Sequence, residues 1–139
     1  MASLEVESLF TNIPLKVTIE ICCNLLYKNV EYVQNLSKFE FKKLLELAVT
    51  NNKFMFNNSI FTQIDGVAMG SPLGPTLANV FLSYYEQIWL DECPKEFKPD
   101  YYRRYVDDTF VLFRSPEHRN SYLKTILTLD IKTLNLHQK

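Results

Sequence analysis

The chain has 139 residues, 47% of them hydrophobic and 14% aromatic, with a formal net charge of −1. That apolar content can offset the ordering entropy of one small domain, which excludes a disordered chain. The near-neutral total excludes the overall basic excess of a self-sufficient nucleic-acid binder, although the balance shifts from 6 Lys+Arg against 10 Asp+Glu through Cys93 to 9 against 6 beyond it.

Residues 3–10, S-L-E-V-E-S-L-F, alternate in polarity and predict a short strand, with Leu4 and Val6 facing a core and Glu5 and Glu7 sharing the other face. Asn12 is positioned to cap a helix with Pro14 in its first turn, and Leu15, Ile19, Cys22 and Leu26 follow at helical spacing. Ser37 and Glu40 form a capping-box pair that opens a second helix with the stripe Phe41, Leu44, Leu45 and Ala48. The stretches F-M-F and S-I-F-T-Q flank Asn57-Asn58, and because asparagine tolerates positive φ they predict a tight hairpin. A glycine-rich segment leads into T-L-A-N-V-F-L-S-Y-Y-E-Q-I-W-L, a helix apolar enough to be largely buried. Pro94 and Pro99 bracket a loop. A second hairpin follows, with arms at 101–106 and 109–113 around Asp107-Asp108. Ser115-Pro116-Glu117 opens a last helix, and Ile131–Leu134 reads as a final strand. Helices and strands mix without βαβ alternation, which predicts an α+β domain spanning 1–139.

Three cysteines, two of them adjacent, make no disulfide framework, and with only two histidines there is no zinc spacing. The N-terminal residues lack a basic start and an apolar stretch, so they do not read as a signal peptide. No run approaches the ~18 apolar residues of a membrane span. A soluble protein of a reducing, intracellular compartment (nucleus or cytoplasm) is the expectation.

Two segments carry candidate chemistry. In Y-V-D-D-T-F-V-L-F, two adjacent carboxylates sit at a hairpin tip between apolar arms. Two such charges 4 Å apart repel by about 4 kcal/mol at an effective dielectric near 20. A divalent cation relieves that repulsion, and magnesium suits carboxylate oxygens while taking phosphate oxygens as further ligands. An ordinary Asp-Asp turn, or a cluster neutralised by Arg103 and Arg104, accounts for the same residues. In G-V-A-M-G-S-P-L-G-P, the chain places all 3 of its glycines within ten residues. Such a loop before a helix can present N–H groups to phosphate or let a base pair lie against the backbone. It can equally be a tight helix start packed under a sheet. Glu5 followed by Phe10 is a weaker signal alone.

Together and in this order, L-E-V-E-S-L-F-T-N-I-P-L, G-V-A-M-G-S-P-L-G-P-T-L-A-N and Y-R-R-Y-V-D-D-T-F-V-L-F resemble three palm motifs of a reverse transcriptase. The S-L-F-T-N-I-P stretch, Met69 and the S-P-E-H after the aspartates are most similar to Penelope-like retroelement enzymes, relatives of telomerase reverse transcriptase. The resemblance implies a partial palm, with a small antiparallel sheet backed by helices, and RNA-directed DNA polymerase activity through two Mg2+ (or Mn2+) ions. It implies an RNA template, a DNA primer and deoxynucleoside triphosphates as partners. By position, Asp107, Asp108 and Glu5 would bind the metals, and the Val6 carbonyl would help hold one of them. Phe10 would exclude a ribose 2′-hydroxyl. Gly66, Met69, Gly70, Ser71 and Pro72 would lie under the template base and incoming nucleotide, and Tyr105 near the primer end.

Two departures temper that expectation. The family has Asp where this chain has Glu5, which moves the carboxylate by about one methylene, and a 1 Å misplacement can cost ~10²-fold in rate. The chain also starts almost at the first motif and stops before any thumb, so a truncated copy, impaired or inactive alone, is expected. The competing expectation is a non-catalytic nucleic-acid-binding or protein-interaction module derived from a retroelement.

Overall fold

Strand β1 (Ala2–Val6) buries Ala2, Leu4 and Val6 and leaves Ser3 and Glu5 half-buried, the two-residue period of a strand with one covered face. The computed structural model describes residues 2–6, 8–128 and 136–138. Within it the chain divides into two compact units, Met1–Leu9 with Leu82–Lys139, and Phe10–Phe81. Among the described residues no helix is long and apolar enough to cross a membrane.

The first unit is built on a four-stranded antiparallel sheet. Its strands are β1, β6 (Tyr101–Tyr105), β7 (Asp108–Leu112) and β8 (Leu136–Gln138), in the order β6-β7-β1-β8. The predicted strand at Ile131–Leu134 lies outside the described residues. Alternation in β7 buries Thr109 and Val111 and exposes Asp108, Phe110 and Leu112, so one face is covered and the other open. Leu4, Cys93, Val111 and Tyr122 form the core of the covered side, with Phe97, Tyr102, Phe113 and Leu123 packed at its margin. Tyr122 and Leu123 come from α5 (Pro116–Thr128), and Cys93 directly follows α4 (Gly74–Glu92). Leu82 and Trp89 of α4 are buried while Tyr84 is exposed, so α4 is amphipathic rather than apolar all round.

The second unit packs α2 (Leu15–Leu26) on α3 (Lys38–Val49), joined by the ion pair Lys42–Glu20 and the ring contact Tyr27–Phe41 at 5.9 Å. The capping box of α3 forms as expected: Ser37 Oγ accepts from the Glu40 amide, and Glu40 accepts from the Ser37 amide at 2.8 Å. Its inward stripe is Phe41, Leu45 and Val49. Leu44 and Ala48 are exposed, because 3.6-residue periodicity keeps i, i+4, i+8 on one face. The expected cap of α2 is not Asn12, which belongs to the short helix α1 (Leu9–Asn12). Pro14 occupies the N-cap without a side-chain bond, and Asp65 Oδ1 accepts from the Leu15 amide at 3.1 Å instead. Leu15, Ile19 and Cys22 are buried as predicted, and Leu26 is exposed. A small ribbon, β2 (Tyr32–Val33) with β3 (Leu36–Ser37), turns at Gln34 and Asn35, both at positive φ. The hairpin β4 (Lys53–Phe56) and β5 (Ser59–Thr62) turns at Asn57 and Asn58, with φ of 46° and 62°.

Candidate active site

The connection between β6 and β7 is only two residues, Val106 and Asp107, closed by the pair Tyr105↔Asp108. Val106 has φ 56° and Asp107 is not at positive φ, the sign pattern of a type II′ turn, where glycine usually stands. A β-branched residue there is a genuine outlier and stores on the order of 1–3 kcal/mol, a cost that persists only where surrounding contacts impose it.

Those contacts hold both carbonyls of the turn. The Val6 amide donates to the Asp107 carbonyl at 3.1 Å, and Arg104 Nη1 donates to the Val106 carbonyl at 3.0 Å. Because Val6 bonds directly across to Asp107, the neighbouring pair Glu5↔Asp108 is of the non-hydrogen-bonded kind, in which side chains approach most closely. Glu5 is half-buried and Asp108 exposed, both on the open face, so two carboxylates from opposite ends of the sequence stand opposed across adjacent strands. Tyr105 flanks them, 82% exposed, and Asp107 is half-buried.

Beneath the sheet lies an ionic network that sequence reasoning missed. Glu86 of α4 accepts from Tyr102 Oη at 2.5 Å, from Arg104 Nε at 2.5 Å and from Arg104 Nη2 at 3.2 Å, while Nη2 also donates to Ser83 Oγ at 3.0 Å. The side chains of Arg104 and Glu86 are only 8% and 12% exposed. Burial, with the Glu86 charge second, pushes the Tyr102 phenol far above its usual range. Arg104 is thus anchored to Glu86 under the sheet. Arg103 lies over the Tyr101 ring at 5.3 Å. The available signal was Glu86 itself, the one charged residue in positions 76–90.

In the second unit, the glycine-rich loop is stitched to the segment that follows β1. The Val67 amide donates to the Phe10 carbonyl at 2.7 Å, and Asp65 Oδ1 also accepts from the Gly66 amide at 2.9 Å. Gly66, at φ 78°, is buried so closely that an added Cβ would stand 2.4 Å from the Thr11 carbonyl oxygen. Phe10, Met69, Gly70 and Ser71, with Ala68, Gly74 and Pro75, line an open cleft of about 280 Å³. Met69 and Gly70 are exposed, as is Pro72, which does not line that cleft. The expected residues thus fall in two groups: Glu5, Val6, Tyr105, Asp107 and Asp108 around the turn, and Phe10 with Gly66 to Pro72 at the loop.

The donors at the turn fit a particular kind of metal binding. Magnesium is usually held by one or two carboxylates with waters and substrate phosphates completing the shell, and the opposed Glu5–Asp108 pair offers that. A preformed cage is not there: among the described residues no group of three or more His, Cys, Asp or Glu could hold an ion.

No curated protein sequence matches the chain significantly. The solved structure of apo telomerase from Candida Tropicalis, truncated from its C-terminal domain, is similar in fold, with TM-score 0.69 and 12% identity over 99% of this chain. The chain spans 30% of that telomerase chain. A family model described as reverse transcriptase (RNA-dependent DNA polymerase) matches residues 1–136, so the chain belongs to the reverse transcriptase family.

Proposed function

We propose that this chain is the palm portion of an RNA-directed DNA polymerase of Penelope-like type, one domain over 1–139, with impaired or no activity by itself. The observation that carries the reading is the register Glu5↔Asp108, which unites the first and third motifs across β1 and β7. The words S-L-F-T-N-I-P, Met69 and S-P-E-H support the Penelope-like assignment.

In this reading Glu5, Asp107 and Asp108 ligate two Mg2+ or Mn2+ ions, with the Val6 carbonyl as a further oxygen donor. Bound there, such ions activate a primer 3′-hydroxyl and neutralise charge on the triphosphate and its leaving pyrophosphate. Phe10 bounds the cleft beside the glycine-rich loop and selects against a 2′-hydroxyl. Gly66 to Pro72 offer a flat backbone to the template base and incoming nucleotide, and Tyr105 orients the primer end. An RNA template, a DNA primer and deoxynucleoside triphosphates are the substrates. Glu5 keeps the charge of an aspartate on a longer arm, and this limits the rate.

Primer extension on an RNA template with Mn2+ tests the proposal. Glu5→Asp is expected to raise the extension rate by ~10²-fold, the scale of a 1 Å correction in near-attack geometry, and Asp107→Asn to abolish it. Absence of extension by both the native sequence and Glu5→Asp, each carried in a full-length chimera with fingers and thumb, would defeat the polymerase reading. One observation favours a second reading, a non-catalytic interaction module: Met55, Phe56 and Ile60 of the β4–β5 hairpin are each at least 70% exposed. A stable protein complex unaffected by Asp107→Asn but lost on altering that hairpin would support it.

A further inference from the structure

We infer that Arg104, anchored by Glu86, is the positioning residue that fixes the Val106–Asp107 turn and thereby sets where the Asp107 and Asp108 carboxylates stand. Its bearing on catalysis rests on the polymerase reading; its bearing on the turn does not.

Val106 at φ 56° would relax without an imposed constraint. One carbonyl of the turn is held by β1 through the Val6 amide, and the other is held by Arg104 Nη1 at 3.0 Å. A guanidinium is suited to this because its donors are set in a rigid plane. Nε and Nη2 grip Glu86, Nη2 reaches Ser83, and Nη1 is left aimed at Val106. Alternation along β6 puts Tyr102 and Arg104 on the covered face, while the neighbouring Tyr101, Arg103 and Tyr105 are exposed. The grip on the turn therefore comes from beneath the sheet. A lysine could keep the charge pairing with Glu86, but as a point charge on a flexible stem it cannot hold Glu86, Ser83 and Val106 in one geometry.

The test uses the 139-residue chain with Arg104→Lys, Glu86→Gln and, as control, Tyr102→Phe, which removes a different Glu86 hydrogen bond. Two readouts are taken: the 1H–15N resonances of the Val106, Asp107 and Asp108 amides without metal, and Mn2+ affinity from the electron paramagnetic resonance signal of the free ion. Arg104→Lys should move those three amides and weaken Mn2+ binding by ~10-fold or more, the scale of losing a support behind a metal ligand. Glu86→Gln keeps Arg104 but loosens its anchor, and should shift the same amides by less; it also serves if Arg104→Lys does not fold. Tyr102→Phe should lower the melting temperature and leave the Asp107 and Asp108 amides in place. Undisturbed turn amides in a folded Arg104→Lys or Glu86→Gln chain overturn the inference, since a merely structural role lowers stability alone. If the native chain takes up no Mn2+, the polymerase reading fails, while the amide shifts still decide whether Arg104 sets the turn.

Discussion

Gly66 and Gly70 both adopt positive φ, at 78° and 88°, yet they answer to different constraints. An alanine Cβ at 66 would collide with Thr11 backbone atoms between 2.4 and 2.8 Å away, whereas at 70 it would meet nothing within 4 Å. Gly70→Ala should therefore cost only the conformational strain, on the order of 1 kcal/mol. Gly66→Ala should add an overpacking cost of about 1–3 kcal/mol, and urea denaturation of the two variants would show the difference. Tyrosine burial predicts an alkaline response. Burial raises the phenols of Tyr102 and Tyr122 above their usual range. Below about pH 10 both folded and unfolded chains keep these protons; above it the unfolded chain loses them first, so stability falls as pH rises. Tyr122 Oη is buried without a hydrogen-bond partner among the described residues, so Tyr122→Phe should cost little at pH 7. It should also remove up to ~1.4 kcal/mol per pH unit of the alkaline loss, measurable by urea titration between pH 9 and 11. Around the turn, the hairpin carrying Asp107 and Asp108 was legible from its two apolar arms, although the turn itself falls one residue earlier than expected, at Val106 and Asp107, with Asp108 already in β7. Glu86 and Asp65 were not legible, because each acts on a partner distant in sequence.

Elements whose signals are local were read correctly from the chain. The Ser37–Glu40 capping box needs only four consecutive residues, and the Asn57-Asn58 turn only two. The start of α2 misled because its cap is supplied from outside the helix, by Asp65. The ribbon β2–β3, two residues per strand, carries too short a pattern to stand out. Hairpin β4–β5 reads correctly as strands, but all eight of its residues are exposed. Its rows include Phe54 stacked on Phe61 at 5.6 Å and Met55 opposite Ile60. An exposed apolar two-stranded ribbon of this kind is expected to self-associate. Met55→Thr combined with Ile60→Thr should reduce oligomers seen by sedimentation velocity. Stability should change by less than ~0.5 kcal/mol, as for surface substitutions generally.

For the molecule as a whole, the α+β class followed from the disorder of its helix and strand sequence, while the pairing of β1 with β7 did not. Alternation can place Glu5 on the open face of a strand, but only the tertiary register puts Asp108 opposite it. Net charge remains a whole-chain property with a consequence of its own. At −1 overall, the chain should bind an RNA–DNA duplex weakly. An affinity in the ~1–100 µM range is that of contacts dominated by phosphate, and nanomolar binding in a filter assay would contradict it. The bond from Asp65 to the Leu15 amide, finally, joins residues 50 positions apart. Closing a loop of that length costs about 3 kcal/mol or more in chain entropy, so the first turn of α2 cannot be sealed while the intervening segment is still searching. The cap of α2 is accordingly a long-range contact, completed only once the segment between residues 15 and 65 is in place.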